Sequence, residues 1–265
     1  MRRVGILPTL VTAANGFCGL LAVYKTQDGK FHAAAFMIML AMVFDVLDGL
    51  VARRAGITSR FGAYLDSLSD AVSFGVAPAF LVKVVVEASG RNVYSAKLLT
   101  GLTAIFTICA LFRLARYNVE HTPSEGLRAD GKAVATFAGM PTPGAAGVLA
   151  SLVYLYADPK RLLDFGFLCY VLPVLCPVLG YLMVSRVPHI HAGTRFLRVR
   201  RDFAYLFVVV VVVVALIFLT EEVAAAAFVG YGLSGIALAV RRKLRGEPAE
   251  EVVAENLSED LPEGL

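Results

Sequence analysis

Four aspartates with helical spacing are the residues of this sequence best suited to chemistry. Asp45 and Asp48 lie three residues apart, and Asp66 and Asp70 lie four apart. An α-helix turns by about 100° per residue, so each pair falls on one face. Two such helices, antiparallel and joined by a short loop, would form a cage of four carboxylates. This cage suits Mg²⁺ or Mn²⁺ and not zinc, because neither face carries a His or Cys ligand.

Small residues accompany both pairs and leave space for a bulky ligand. Gly49 and Ala52 share the face of the first pair, whereas Gly62, Ser69 and Ser73 share the face of the second. Four carboxylates carry more negative charge than one divalent cation neutralises, so we expect two cations about 3.5 to 4 Å apart. Two divalent cations in turn favour a substrate that contains a diphosphate.

Two other interpretations of the acidic residues remain open at this stage. Asp45 and Asp48 could form structural ion pairs with Arg53 and Arg54 at the edge of a membrane. A cation transporter would also place acids in its membrane spans. It has no need, however, of a Gly-x-x-Ala-Arg sequence beside them. Four aspartates at helical spacing with interleaved small residues therefore favour a metal site over both alternatives.

The surrounding sequence indicates a bilayer environment. Of its 265 residues, 58% are hydrophobic and only 17% are charged, and the mean hydropathy is +0.70. These values exclude an ordinary soluble domain. Stretches of roughly 20 mostly apolar residues predict about eight transmembrane helices. The predicted spans lie near residues 7–24, 31–52, 61–86, 97–117, 143–156, 165–184, 203–219 and 223–240.

The distribution of lysine and arginine predicts the topology. With eight spans and both termini in the cytoplasm, eighteen of the 25 basic side chains fall on the cytoplasmic side, where such residues concentrate. We expect residues 1–245 to form one membrane-embedded domain, an all-α polytopic helix bundle. Residues 246–265 are acidic and rich in Pro, Ser and Glu, which is typical of a disordered cytoplasmic tail.

The acidic segment resembles a known signature. Between Asp45 and Asp70 the sequence reads D-x2-D-G-x2-A-R-x8-G-x3-D-x3-D, which matches without departure the signature of the CDP-alcohol phosphatidyltransferase family. Flanking segments extend the resemblance. Those at residues 113–118 and 137–143 are similar to the branch of that family that makes phosphatidylserine. The resemblance implies transfer of a phosphatidyl group from CDP-diacylglycerol to the hydroxyl of L-serine, with CMP as the leaving group.

The resemblance also implies roles for individual residues. All four aspartates would hold two divalent cations, Mg²⁺ or Mn²⁺, and Asp70 would also act as the general base. A serine hydroxyl needs such a base because its own pKa is too high for unaided attack. Arg113 and Arg116 would bind the serine carboxylate or a substrate phosphate. The residues implied in binding CDP are Thr12, Asn15, Gly49, Ala52, Arg53 and Gly62.

The same resemblance implies the setting of the enzyme. We expect a homodimer in the cytoplasmic membrane, without a nucleic-acid partner, whose active site opens to the cytoplasm and sideways to lipid. The closest alternative is the same chemistry with another acceptor, such as glycerol 3-phosphate, an inositol phosphate or choline. An ion-coupled transporter is the alternative from a different functional class.

Overall fold

The computed structural model describes residues 6–55, 60–91, 93–121, 139–157, 166–185, 223 and 225–233. All the regular structure in these ranges is helical, as predicted, and they contain no strand. A short helical segment occupies residues 225–233. The other helices are α1 (Ile6–Gln27), α2 (Phe31–Ala55), α3 (Arg60–Asp70), a π-helical segment (Ala71–Val76), α4 (Ala77–Ala88), α5 (Ala96–His121), α6 (Thr142–Tyr156) and α7 (Leu168–Val184).

Within the described ranges, three helices are long and apolar enough to cross a membrane. They cover Phe31–Gly49, Phe61–Ala88 and Ala96–Val119, and α6 and α7 are shorter apolar helices. Their lengths and composition fit an integral membrane helix bundle. The predicted seventh span and the tail lie outside the described residues, and the eighth is described only in part. The count of eight spans and the position of the termini therefore remain predictions.

Helix α5 shows how the bundle divides its side chains between protein and surroundings. Phe106 and Ala110 are fully buried, whereas Ile105, Ile108 and Phe112 are exposed. The exposed residues recur at helical spacing and form an apolar outer face. An apolar face of this kind is stable in contact with lipid chains, which agrees with a bilayer location.

Helices α1 and α2 form a hairpin, in which α1 carries Asn15 and α2 carries Asp45 and Asp48. A short turn at residues 28–30 joins them, and Gly29 adopts a positive φ of 73° there, a conformation that glycine reaches without strain. Helix α1 then packs along α3 as well as α2. A Cβ atom at Gly19 would lie 2.6 Å from the Cα of Ser73. Glycine therefore permits close approach of α1 to the segment that follows Asp70.

The π-helical segment Ala71–Val76 interrupts the helix that carries the second aspartate pair. A π turn holds more residues than an α turn, so the side chains after Asp70 are rotated from their regular α-helical positions. The prediction that Ser73 shares the face of Asp66 assumed an uninterrupted α-helix, whereas the structure has a π turn in this segment. Ser73 donates a hydrogen bond of 3.0 Å to the carbonyl oxygen of Asn15 in α1, the residue that also bonds Asp70.

Candidate active site

Helices α2 and α3 bring three of the four predicted aspartates into one cluster. Asp45, Asp48 and Asp66 each offer a carboxylate oxygen, and these three oxygens lie within 4.8 Å of one another. Asp48 is buried, and Asp45 and Asp66 are partly buried. The helical spacing within the first pair and the apposition of two helices together produce the cluster.

The polar surroundings of this cluster fit a bound cation. Among the described side chains, neither Asp45 nor Asp66 forms an ion pair with a lysine or arginine. The Oδ1 atom of Asp66 is buried and has no hydrogen-bond partner there. Buried carboxylates without a compensating charge are costly. Three convergent oxygen ligands are the donor set that Mg²⁺ and Mn²⁺ prefer, so the residues suit divalent cations of this class.

Asp70 lies beside the cluster and accepts a hydrogen bond from a side chain of α1. The Nδ2 atom of Asn15 donates a hydrogen bond of 2.9 Å to Oδ1 of Asp70. Asp70 is 9% exposed and lies within electrostatic range of the three clustered aspartates. Asp70, the predicted general base and the fourth predicted cation ligand, therefore lies near the three clustered aspartates without being part of their cluster.

The two α1 residues predicted to bind the nucleotide have different surroundings. Asn15 is fully buried and contacts the acidic site through Asp70. Thr12, one helical turn earlier, donates its hydroxyl to the carbonyl oxygen of Pro8 within the same helix, at 3.1 Å. Of these two residues, Asn15 is the one that forms a hydrogen bond with an aspartate of the site.

The remaining predicted nucleotide-binding residues are described to different extents. Gly49 and Gly62 are partly buried, on the helices that carry the two aspartate pairs. The backbone of Ala52 and Arg53 belongs to α2, but their side chains lie outside the described residues. Their roles in binding CDP remain predictions.

Arg113 and Arg116 have different surroundings in the structure. Arg113 donates a hydrogen bond of 2.9 Å from Nη1 to the hydroxyl of Thr142 at the start of α6, and its Nε atom is buried with no hydrogen-bond partner among the described residues. It lies within electrostatic range of Asp70. Arg116 is exposed. Arg113 is therefore partly buried near Asp70, whereas Arg116 lies on the surface of the same helix.

Several polar residues near the site were missed by sequence reasoning. Ser67 donates a hydrogen bond of 2.9 Å to Oδ1 of Asn118, which joins α3 to α5. Thr142 supports Arg113, as described above. Asn118 and Thr142 both lie in segments that carry the family resemblance, and this was the available signal. Their contacts depend on helices far apart in sequence, so spacing could not reveal them.

The helical segment at residues 225–233 packs against α6 on the Arg113 side. A Cβ atom at Gly144 would lie 2.8 Å from Cε1 of Tyr231, and one at Gly147 would overlap the ring of Phe228. Tyr231 also lies within electrostatic range of Arg113. Two glycines of α6 thus admit the aromatic side chains of this segment.

Comparison with known proteins gives concordant matches. Residues 5–185 match the family described as CDP-alcohol phosphatidyltransferase. A CDP-diacylglycerol–serine O-phosphatidyltransferase of Helicobacter pylori is 30% identical over 236 residues, covering 87% of this chain and 90% of that protein. The Bacillus subtilis protein of the same name is 31% identical over 190 residues, covering 70% and 90%. An archaetidylserine synthase of Methanothermobacter thermautotrophicus is 37% identical over 148 residues, covering 55% and 56%.

Proposed function

The chain belongs to the CDP-alcohol phosphatidyltransferase family, and on that premise we propose that it transfers the phosphatidyl group of CDP-diacylglycerol to L-serine. Phosphatidylserine and CMP are the products. The observation that carries the proposal is the convergence of the carboxylates of Asp45, Asp48 and Asp66, of which Asp48 is buried and the other two partly buried, beside Asp70. Relatives aligned over most of this chain are named for serine as the acceptor, which supports the choice of acceptor.

The four aspartates hold two divalent cations in this proposal. Asp45, Asp48 and Asp66 supply convergent oxygens, and Asp70 adds a fourth carboxylate. When bound, Mg²⁺ or Mn²⁺ neutralises negative charge on the diphosphate and on the departing CMP. The buried Oδ1 of Asp66, which has no hydrogen-bond partner among the described residues, supports this assignment.

Asp70 takes the proton of the acceptor hydroxyl. The serine oxygen forms a bond to the β-phosphorus, the bond from that phosphorus to the bridging oxygen breaks, and CMP leaves with the electron pair. The hydroxyl proton passes to the Asp70 carboxylate as the new bond forms. No covalent enzyme intermediate is needed, because both substrates are held in one site and react directly.

Arg113 orients the acceptor. Its guanidinium makes one hydrogen bond, to Thr142, among the described residues, so further N–H donors remain for an anion. A carboxylate bound there would place the serine hydroxyl toward Asp70, which lies within electrostatic range of Arg113. Arg116 is the alternative anion-binding residue, in contact with a lipid or nucleotide phosphate.

Binding of the nucleotide is assigned to residues around the two aspartate pairs. Gly49, Ala52 and Gly62 leave space for the cytidine and its phosphates, and Arg53 contacts a nucleotide phosphate. Thr12 contributes from α1. The family match over this whole region supports these assignments.

The membrane setting completes the proposal. The acyl chains of CDP-diacylglycerol stay in the bilayer, while serine and the CDP headgroup enter from the cytoplasm. We propose a homodimer in the cytoplasmic membrane with eight spans, both termini inside and an acidic tail at residues 246–265. The concentration of Lys and Arg in the predicted cytoplasmic loops supports this orientation.

The test is release of CMP from CDP-diacylglycerol by the purified full-length chain with Mg²⁺ or Mn²⁺. Serine, glycerol 3-phosphate, an inositol phosphate and choline are added separately, with Asp70→Asn as the control. We expect release with serine alone, absent in the variant and after chelation of the cations. Release with a different acceptor would contradict serine while retaining the chemistry. Cation flux into liposomes without CMP release would contradict both.

A further inference from the structure

Asn15 is bound to the acidic site in a way that points to a role other than nucleotide contact. Its side chain is fully buried in α1. Nδ2 donates to Oδ1 of Asp70 at 2.9 Å, and its backbone oxygen accepts a hydrogen bond from the Ser73 hydroxyl at 3.0 Å. Two hydrogen bonds therefore join this residue to the helix that carries the predicted general base, one at Asp70 itself and one at Ser73 in the π-helical segment.

The backbone around Asn15 is held closely against that same segment. A Cβ atom at Gly16 would lie 3.0 Å from the hydroxyl oxygen of Ser69, and one at Gly19 would lie 2.6 Å from the Cα of Ser73. Close packing of this kind leaves α1 little freedom to slide relative to α3. The donor atom of Asn15 is consequently presented to Asp70 from a fixed position.

The Asn15 side chain makes one hydrogen bond among the described residues, and that bond goes to Asp70. Oδ1 of Asn15 is buried and has no hydrogen-bond partner among the described residues, and Nδ2 donates one of its two N–H groups to Asp70. Oδ2 of Asp70, in contrast, accepts no hydrogen bond from the described residues. The contact therefore makes the two oxygens of the Asp70 carboxylate unequal, with Oδ2 the one that has no hydrogen bond from the described residues.

We propose that Asn15 is a positioning residue that fixes the Asp70 carboxylate so that Oδ2 receives the acceptor proton. The inference rests on the proposed function for the role of Asp70, but it does not depend on which acceptor is used. Hydrogen bonds from neighbouring polar groups commonly orient catalytic and metal-binding carboxylates. Loss of such a bond misplaces the base and slows the chemical step without weakening substrate binding.

The experiment separates kcat from KM in full-length protein reconstituted in lipid. Asn15→Leu removes the amide while keeping a similar volume, and we expect kcat to fall by about ten- to a hundredfold. The KM values for CDP-diacylglycerol and the acceptor should change by less than about threefold, because ground-state binding is retained. Affinity for CDP itself, measured by calorimetry with Mn²⁺ present, should likewise be unchanged.

Two further variants keep the test informative if Asn15→Leu folds poorly. Ser73→Ala removes only the hydrogen bond to the Asn15 backbone and should lower kcat by about threefold to tenfold, with both KM values retained. Thr26→Val is the matched control, since Thr26 is buried in the same helix and its hydroxyl bonds only the Ala22 carbonyl, at 2.8 Å. It should leave kcat unchanged.

The possible contrary results are distinct. A raised KM for CDP-diacylglycerol and weaker CDP binding, with kcat retained, would overturn the proposal in favour of nucleotide contact by Asn15. Equal losses of kcat in Asn15→Leu and Thr26→Val would reduce Asn15 to a packing role. If wild type released CMP with an acceptor other than serine, the acceptor assignment would fail while the Asn15 measurement stayed interpretable. Absence of CMP release with every acceptor would overturn both proposals.

Discussion

The acidic and basic sides of the candidate active site are built in different ways. The acidic side, Asp45, Asp48 and Asp66, comes from two helices joined by a short connection. The basic side comes from Arg113 in α5, Thr142 in α6 and the segment at residues 225–233. One side is local in sequence, and the other is assembled from three distant segments.

The two sides also differ in how far the matched family region covers them. The aspartates lie well inside residues 5–185, whereas Tyr231 and Phe228 lie beyond that match. We therefore expect the acidic and basic sides to have different functions. On the proposed function, cation binding and phosphoryl transfer use the matched region, and the surroundings of Arg113 include a part of this chain that the match does not cover.

The largest effect is expected on the acidic side. Asp66→Asn should lower kcat by roughly three orders of magnitude, because it removes a cation ligand and a preorganised charge at the reacting phosphate. CMP release with saturating substrates is the measurement. Asp28→Asn is the control, since Asp28 is exposed in the turn between α1 and α2, and it should behave as wild type. Full activity of the Asp66 variant would show that the aspartate cluster does not take part in the reaction.

A smaller and different effect is expected on the basic side. Arg113→Met should raise the KM for serine by about ten- to a hundredfold, because a hydrogen-bonded charge partner of the acceptor is lost. The KM for CDP-diacylglycerol should change little. Arg116→Met is the matched control, since Arg116 is exposed three residues later on the same helix. The reverse ranking of the two variants would assign the acceptor to Arg116.

Packing of the 225–233 segment can be tested separately from chemistry. In Gly144→Ala the new Cβ would lie 2.8 Å from Cε1 of Tyr231, so either the Tyr231 ring or the backbone that carries it must shift. We expect a loss of about 1 to 3 kcal/mol in the free energy of unfolding, measured by thermal denaturation in detergent. Gly101→Ala is the control, because a Cβ there meets nothing within 4 Å. Equal stability of the two variants would show that the contact on α6 contributes little.

The smallest effect should come from the residue that supports Arg113. Thr142→Val removes the 2.9 Å hydrogen bond to the guanidinium while keeping the side-chain volume. The expected cost is about 1 kcal/mol, which corresponds to roughly a fivefold increase in the KM for serine. Initial-rate kinetics over a range of serine concentrations would measure it. A change in kcat without a change in this KM would show that Thr142 affects the chemical step and not binding of serine.

Much of the fold could be predicted from sequence because bilayers restrict it strongly. Apolar stretches of sufficient length must satisfy their backbone hydrogen bonds internally, so they predict helices and their bounds. The helices near residues 31–52, 61–86 and 97–117 occur close to the predicted positions. The π turn after Asp70 was not predictable in the same way. No residue pattern marks it, and within it Ser73 bonds the backbone of Asn15 in α1.

The sequence by itself determined the chemistry of the acidic side. Residue types and helical spacing give each aspartate pair one face, and the helix geometry that produces this is local. Only the tertiary structure decided which distant residues complete the site. It joined Asn15 to Asp70, partly buried Arg113 while leaving Arg116 exposed, and placed Thr142 beside Arg113. These contacts depend on how helices pack across the bundle, and the spacing of residues along one helix holds no information about that packing.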